Sequence, residues 1–237
     1  MVVNVPTDGQ EPVTAVLCSG GLDSAVLIAH EALRANVQPV YINVGFTWEP
    51  QERAVLTRLL EAPLFNSRLR PLIVLEAPVA DLYPKTHWAL RGTPPAYNTS
   101  DSDVYLTGRN LLLLSKVGIY CALQHIEQIS VGPLAGNPFP DATAEFFKAA
   151  SRTLSLGLDQ RINIVAPFIG FRKVEVINLG AALGVPWELT LSCMNPEESR
   201  HCGRCSKCRE RLQAFDAAGL SDPASYVFRP TNLTIGQ

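Results

Sequence analysis

A short Ser/Gly segment near the N-terminus has the composition of an anion-binding loop. Ser19-Gly20-Gly21-Leu22-Asp23-Ser24 follows the apolar run 13–18 and precedes a helical stretch. A strand, a Ser/Gly loop and a helix in this order present backbone N–H groups to a phosphate. Asp23 would repel phosphate, so it must either hold Mg²⁺ or cap the helix. The residues indicate a phosphate site, although an ordinary strand-to-helix turn uses the same residue types.

Four cysteines near the C-terminus have the spacing of a metal-binding knuckle. Three of them are separated by two residues each, and the fourth lies nine positions upstream. Four thiolates form a closed tetrahedral site, which is typical of structural zinc, whereas a catalytic zinc keeps one position open. An iron–sulfur cluster is the alternative, because it also uses four cysteines. The sequence therefore predicts a metal site, with Zn²⁺ as the first choice, on Cys193, Cys202, Cys205 and Cys208.

The other candidate residues have simpler interpretations. Cys18 and Cys121 lie in apolar segments and are expected to be small buried residues. His201 adjoins the cysteine cluster, but four thiolates already fill a zinc site, so we expect it outside the ligand shell or on the surface. No Ser-His-Asp or Cys-His nucleophile set can be recognised, which leaves catalytic residues unassigned.

The composition limits the class of protein. The chain has 237 residues, 47% of them hydrophobic, which supports a substantial core. A net charge of −2 argues against a nucleic-acid substrate. No apolar run approaches the roughly 20 residues that span a bilayer, and residues 1–10 are expected to form a short tail rather than a signal peptide. With a cysteine cluster that suits a reducing compartment, these features predict a cytoplasmic protein without membrane contact.

Strand and helix signals alternate along the chain, which predicts a doubly wound α/β fold with a mainly parallel sheet of about five strands. Residues 206–218 are expected to form a helix that the metal holds against the main domain. We therefore expect an α/β domain over residues 1–190 and a small C-terminal zinc-knuckle and helical subdomain over residues 191–237. The predicted strands are 13–18, 39–44, 72–75, 128–131 and 162–165, and the other predicted helices are 24–35, 50–61, one within 104–124, 142–156 and 173–183.

The segments after the strands matter most, because ligands of such sheets bind outside the carboxyl ends of the strands. The segment 76–103 is long, has no convincing periodicity and contains Trp88 and other aromatic residues. Loops of this length are usually functional or disordered, and the aromatic content favours a substrate lid. Within it, His87 is expected to be a surface or packing residue.

The Ser19–Ser24 segment resembles the PP-loop, S-G-G-x-D-S, of the ATP pyrophosphatases. Its combination with the C-terminal cysteines resembles the 7-cyano-7-deazaguanine synthase family. Gly108-Arg109-Asn110 before an apolar helix is similar to the family's Arg-Asn, and Pro140-Asp141 is similar to a Pro-Asp in its fourth-strand loop. The similarity extends from residue 13 to residue 215 and includes Pro167, Lys173-x-Glu175, Gly184-Val185-Pro186, Thr190-x-Ser192-Cys193 and the knuckle up to Arg211.

Three segments depart from the family pattern. Residues 45–53 replace a Gln-Arg-His-like segment, Ala142-Thr143 replaces a Cys-Arg pair, and Leu106-Thr107-Gly108 replaces Val-Pro-x before the Arg-Asn. The first two departures lie in loops that are expected near the substrate. They therefore concern the identity of the acid rather than the ATP chemistry.

The resemblance implies an enzyme that uses ATP to convert a carboxylate into an acyl-adenylate, which ammonia attacks to form an amide. In this family a second ATP-driven step dehydrates the amide, so that 7-carboxy-7-deazaguanine becomes 7-cyano-7-deazaguanine. The resemblance also implies Mg²⁺ with ATP, cations from Arg109 and Lys173 for the phosphates, and a pyrophosphate-binding loop formed by Ser19, Gly20, Gly21, Leu22, Asp23 and Ser24.

Two alternatives stay open. Within the superfamily, the acceptor could be another carboxylate or a tRNA base, although the sequence contains no evident basic surface or RNA-binding domain. Outside it, the chain could be a non-catalytic nucleotide-binding, zinc-dependent interaction module. A homodimer is compatible with the sequence, which determines neither the oligomeric state nor the source of ammonia.

Overall fold

Five parallel strands form one sheet in the computed structural model, which describes residues 12–65 and 67–230. The predicted doubly wound, parallel α/β fold is confirmed. The expected N-terminal tail, residues 1–10, lies outside the described residues. The strand order across the sheet is β3-β2-β1-β4-β5, with β1 at Val13–Leu17, β2 at Asn36–Asn43, β3 at Ile73–Glu76, β4 at Gln128–Ser130 and β5 at Asn163–Val165.

Seven α-helices occur in the described part of the chain. None of them is long and apolar enough to cross a membrane. The helices are α1 (Leu22–Ala32), α2 (Glu49–Leu60), α3 (Trp88–Arg91), α4 (Arg109–Leu123), α5 (Ala144–Leu158), α6 (Lys173–Leu183) and α7 (Ser206–Ala217).

Helices cover both faces of the sheet, because successive strand residues point to opposite sides. Ala15 of β1 belongs to a hydrophobic cluster that includes Val117 of α4 and Phe147 of α5. The next residue, Val16, belongs to a second cluster with residues of α1 and α6, among them Val26. The sheet therefore has no water-exposed face in its centre, as is usual for parallel sheets.

The observed element ends differ from the predicted ones for local reasons. The helix expected at 173–183 agrees with α6 at both ends, because Gly184 adopts a left-handed φ of 74° and ends it. β2 begins at Asn36 rather than at residue 39, and it pairs with β1 from that first residue. α5 begins at Ala144 rather than at residue 142, because Thr143 caps it by accepting a hydrogen bond from the Phe146 N–H at 3.1 Å.

The strand order determines where a ligand can bind. It reverses at β1, whose neighbours β2 and β4 are reached by connections that leave in opposite directions. The loops after β1 and β4 therefore diverge and leave a crevice at the carboxyl edge of the sheet. Ser19 follows β1 at this edge, and Gly132 follows β4.

The long segment after β3 is folded against α7. The buried guanidinium group of Arg209 in α7 donates hydrogen bonds to the carbonyl oxygens of Tyr97 and Thr99, at 2.6 and 2.7 Å, and pairs with Asp101. These contacts join the lid predicted at 76–103 to the C-terminal part of the chain.

Candidate active site

The Ser/Gly segment forms a tight loop between β1 and α1. The Ser19 hydroxyl accepts a hydrogen bond from the Gly21 N–H at 3.4 Å. The Ser24 hydroxyl donates to the Gly21 carbonyl oxygen at 3.0 Å and accepts from the Ser19 N–H at 3.3 Å. Because α1 begins at Leu22, the N–H groups of its first turn lack partners within the helix and carry the positive end of its dipole. The loop thus offers donors to an anion.

Gly20 is required at its position. Its φ is 73°, in the left-handed region that favours glycine. A β-carbon there would lie 3.2 Å from Cβ of Leu56 and 3.3 Å from the carbonyl oxygen of Glu52, both in α2. α2 therefore packs directly against the loop, and a larger residue at position 20 would displace the loop from α2.

Asp23 pairs with a lysine that is 150 residues away in the sequence. The Lys173 Nζ lies 2.6 Å from Oδ2 of Asp23, while Oδ1 of Asp23 is buried and has no hydrogen-bond partner among the described residues. Burial alone would lower the pKa of Lys173, but Asp23 and Glu210 outweigh it and raise the pKa above its ordinary value. Asp23 does not cap α1, whose N-cap is Gly21. Asp23 is instead neutralised by Lys173, a role that the sequence analysis did not consider.

The Arg-Asn and Pro-Asp segments meet at the start of α4. The Asn110 N–H donates to Oδ2 of Asp141 at 3.2 Å, and the Asn110 side-chain amide donates to the Asp141 carbonyl oxygen at 2.8 Å. This pairing holds the first turn of α4 against the loop after β4. The neighbouring Arg109 has a buried Nε without a hydrogen-bond partner among the described residues. This Nε atom therefore has hydrogen-bonding capacity left for a ligand.

Two cavities meet at the Ser/Gly loop. The first, of about 280 Å³, lies at the ends of β1, β2 and β4 and is lined by Tyr105 and Gly132, among others. The second, of about 240 Å³, lies between α2, the lid segment and the C-terminal part, with Lys173 in its wall. Ligands in the two cavities would adjoin each other, because both cavities are lined by Ser19, Asp23, Ser24 and Arg109.

Leu22 contributes differently from the other residues of the loop. Its side chain is buried in the hydrophobic cluster that contains α1. Leu22 therefore anchors the loop in the core and offers a ligand its backbone.

Stacked aromatic rings border the second cavity. The indoles of Trp48 and Trp88, which both line it, lie 5.6 Å apart at an angle of 9°. Tyr83 stacks on His87 at 4.6 Å, and the His87 imidazole accepts a hydrogen bond from the Ala89 N–H at the start of α3. Segment 76–103 thus contributes the planar side chain of Trp88 to the cavity wall, and His87 has the packing role expected of it.

Glu52 is a site residue that the sequence analysis missed. Its Oε2 accepts a hydrogen bond from the Tyr41 hydroxyl at 2.8 Å, and it lines the second cavity. Burial raises the pKa of Glu52 to about 7, with Glu49 adding to the rise and Arg109 and Tyr41 opposing it. A carboxyl group with this pKa can exchange a proton near neutral pH. No local signal distinguishes Glu52 from a solvent-facing glutamate of an amphipathic helix.

The two departures from the family pattern in the predicted substrate loops have different positions. Trp48, within the first of them, lines the second cavity. Ala142 is buried, and Thr143 is the N-cap of α5. The structure therefore brings the first departure to the site and gives the second a structural role.

The four cysteines converge on one point, and all four are buried. Their sulfur atoms lie within 4.8 Å of one another, with Cys202 to Cys208 at 3.9 Å and Cys193 to Cys205 at 4.0 Å. Tetrahedral zinc with ligand distances near 2.3 Å needs sulfur separations of about 3.8 Å. The cluster can therefore bind a metal ion.

The backbone around the cysteines is shaped for this cluster. Gly203 has a φ of 73°, and a β-carbon there would lie 1.5 Å from the carbonyl oxygen of Phe228, so no other residue fits. His201 is buried, and its Nε2 accepts a hydrogen bond from the Ser192 N–H at 3.1 Å. It lies outside the ligand set, as expected. Cys18 and Cys121 are buried apart from the cluster, also as expected.

The fold and site define an α/β protein with a PP-loop and a four-cysteine knuckle. A family model described as "Queuosine biosynthesis protein QueC" matches residues 13–219, and the chain belongs to this family. The 7-cyano-7-deazaguanine synthase of Methanopyrus kandleri is 31% identical over 240 residues, which cover 90% of this chain and 98% of that protein. The synthase of Thermosynechococcus vestitus is 30% identical over 91% of this chain and 96% of that protein.

A solved structure also shares the fold. The U34-tRNA thiolase NcsA from Methanococcus maripaludis, a protein with a 4Fe-4S cluster, matches with a TM-score of 0.51. It is 10% identical to this chain, and the match covers 89% of this chain and 68% of the thiolase. At this identity the likeness concerns the fold alone.

Proposed function

We propose that this chain is an ATP-dependent ligase of queuosine biosynthesis that converts 7-carboxy-7-deazaguanine into 7-cyano-7-deazaguanine. The observation that carries the proposal is the meeting of two cavities at one phosphate loop, in a chain whose relatives are named for this product. Transfer of adenylate from ATP to an acid needs two ligands side by side, because the reacting atoms must be about 3–3.5 Å apart.

In this proposal, the loop Ser19–Ser24 binds the pyrophosphate end of ATP. Arg109 and Lys173 neutralise charge on the phosphates as pyrophosphate leaves. The buried, unpartnered Oδ1 of Asp23 is a hard oxygen ligand that suits Mg²⁺. ATP entering with Mg²⁺ would then exchange the Asp23–Lys173 ion pair for contacts to metal and phosphate.

The proposed reaction has two rounds. In the first, a carboxylate oxygen of the acid attacks the α-phosphorus of ATP, and pyrophosphate leaves. Ammonia attacks the acyl carbon and loses a proton, and AMP leaves to give the amide. In the second round the amide oxygen attacks the α-phosphorus of a second ATP, and pyrophosphate leaves. The nitrogen then loses two protons as the bond from carbon to oxygen breaks and AMP departs, which gives the nitrile.

We assign adenosine to the first cavity and the acid to the second. The first cavity lies at the reversal of strand order, and Tyr105 stacks on Phe139 in its wall at 5.0 Å. The second has the parallel indoles of Trp48 and Trp88, and a flat heterocycle gains more from such a wall than a flexible acid does. This assignment supports a planar heterocyclic acid as the substrate.

We propose Zn²⁺ as the metal on Cys193, Cys202, Cys205 and Cys208, in a structural role. All four ligands are thiolates, which leaves no position for water. The knuckle would fix the start of α7, since Cys205 and Cys208 flank its first residues.

The proposal also covers the organisation of the chain. We retain a division into an α/β domain, 1–190, and a zinc subdomain, 191–237, and a cytoplasmic location that suits free thiols.

A homodimer is supported by Leu111, Ile119 and Leu123, exposed along one side of α4. If α4 forms the interface, Ile119→Glu should convert a dimer into a monomer in sedimentation equilibrium; an unchanged dimer would exclude this face.

The test of the function is product formation by the purified protein. With ATP, Mg²⁺, ammonium and 7-carboxy-7-deazaguanine, we expect AMP, pyrophosphate and a product with the mass of 7-cyano-7-deazaguanine. AMP release with another carboxylate instead would indicate a divergent ligase, and release with tRNA would indicate a tRNA-modifying enzyme. Nucleotide binding without AMP release from any acceptor would favour the non-catalytic interaction module.

A further inference from the structure

Helix α7 of the C-terminal knuckle reaches the phosphate loop. Lys207 and Glu210, one turn apart on α7, line the second cavity together with Ser19 and Gly21 of the loop. Neither residue belongs to the PP-loop or to the cysteine set. The knuckle therefore contributes charged side chains to the second cavity, which the phosphate loop also lines.

Glu210 connects the lysine of α7 to the lysine of α6. Its Oε1 lies 2.8 Å from Nζ of Lys173, and its Oε2 lies 2.5 Å from Nζ of Lys207. Lys173 also contacts Asp23, so the four side chains form a chain of alternating charge from the loop to α7. One carboxylate thus holds two ammonium groups side by side at the cavity wall.

The other cations of α7 are already occupied. Arg211 is fully buried and forms a two-pronged ion pair with Asp222. Arg209 is bound to the lid backbone. Lys207 has Glu210 as its one ion-pair partner among the described residues, and a third of its side chain is exposed. It is therefore the cation of α7 that can turn to an incoming anion.

We propose that Lys207 is a second phosphate-binding cation, supplied to the leaving pyrophosphate by the knuckle, and that Glu210 is the positioning residue that aligns Lys207 with Lys173. The proposal rests on the proposed ATP-dependent function and deepens it. Pyrophosphate carries several negative charges, so two fixed ammonium groups stabilise it better than one. The knuckle would then contribute Lys207 of α7 to the reaction, whereas its metal would have a structural role only.

The experiment measures isotope exchange between ATP and pyrophosphate in the presence of the acid, and direct pyrophosphate binding by calorimetry. Lys207→Met should raise the KM for pyrophosphate at least about tenfold, the loss expected when a charge-assisted hydrogen bond of about 1.4 kcal/mol is removed. Because Lys207 also lines the cavity assigned to the acid, the KM for the acid should rise less than the KM for pyrophosphate. The matched control is Lys148→Met, since Lys148 is an exposed lysine of α5 that lines neither cavity.

The Glu210→Gln variant distinguishes a positioning role of Glu210 from the electrostatic effect of its negative charge. Removing a negative charge beside an anion site should lower the KM for pyrophosphate by electrostatics alone. If Glu210 aligns the lysines, the KM should instead rise several-fold, and this effect should shrink when Lys207→Met is already present. A lower KM would overturn the positioning role.

Controls separate this proposal from the function on which it rests. Lys207 adjoins Cys208, so the zinc content of each variant is measured as a control and should match the wild type. If the wild type exchanges pyrophosphate and Lys207→Met behaves like Lys148→Met, the role of Lys207 is wrong while the function stands. If the wild type does not exchange, calorimetry decides: binding of pyrophosphate that Lys207→Met weakens supports the site, and no such difference overturns it.

Discussion

At the scale of single residues, Asp23 has one oxygen in an ion pair and a second, buried oxygen without a hydrogen-bond partner among the described residues. Lys173 is the partner in that ion pair, and the second oxygen is the one we propose as a ligand of Mg²⁺. We expect Asp23→Ala to lower the rate of AMP formation by at least about 100-fold, as for other losses of electrostatic stabilisation. The fold should stay intact, as judged by circular dichroism.

The control for Asp23 is Asp216→Ala, an exposed carboxylate on α7 that lines neither cavity. It should retain wild-type turnover. Normal AMP formation by Asp23→Ala would show that the loop does not bind the metal and phosphates as proposed.

Glu52 predicts a pH dependence of stability. Its pKa is 4.5 ordinarily and about 7 in the folded protein, because burial outweighs the attraction of Arg109. Between these values the folded protein keeps a proton that the unfolded chain has released, so the free energy of unfolding falls as pH rises. Glu52→Gln, which accepts the Tyr41 hydrogen bond without charge, should remove this decline.

Urea unfolding at pH 5 and pH 8 measures the Glu52 effect. The free energy of unfolding of Glu52→Gln minus that of the wild type should be larger at pH 8 than at pH 5. If the two proteins have parallel pH profiles, Glu52 does not titrate as proposed.

At the scale of elements, the lid is held at one end and exposed at the other. Arg209 of α7 binds its backbone at Tyr97 and Thr99, whereas residues 80–82 and 84–86 are exposed. We expect trypsin to cleave after Lys85 in the free protein and more slowly when ATP and acid are both bound. Mass spectrometry of timed digests measures this, and an unchanged rate at saturating ligands would make the segment a linker.

At the scale of the whole molecule, the knuckle links α7, the lid and the phosphate loop. Zinc binding in small metal-dependent domains contributes on the order of 10 kcal/mol, and total stabilities are about 5–15 kcal/mol. We therefore expect Cys205→Ser to lower zinc content and melting temperature together, with activity lost as a consequence. Metal analysis and calorimetry on the same preparation measure both.

Two outcomes would contradict the structural zinc. A brown protein that contains iron and sulfide would identify a cluster instead. A Cys205→Ser variant that loses zinc and turnover but keeps its melting temperature would make the metal catalytic. Ser206 offers a matched substitution beside the ligands, since Ser206→Ala should leave zinc content unchanged.

The sequence alone determined the features that depend on contiguous residues. The PP-loop, the knuckle spacing and helix α6 are local patterns, because backbone conformation and ligand reach are set over a few residues. The alternation of strands and helices was enough to predict the parallel sheet, and short segments were enough for the family. Element ends were shifted where a cap or turn, such as Thr143, competes with the helix.

Only the tertiary structure decided which distant side chains meet. Lys173 reaches Asp23, Glu210 reaches Lys173, and Glu52 reaches Tyr41 from separate elements, and nothing in their local sequence indicates these partners. The physical reason is that a charged residue has the same local sequence pattern whether its side chain faces solvent or lines a cavity. Burial and the packing angle of two helices decide between them, and both arise from contacts spread over the whole chain.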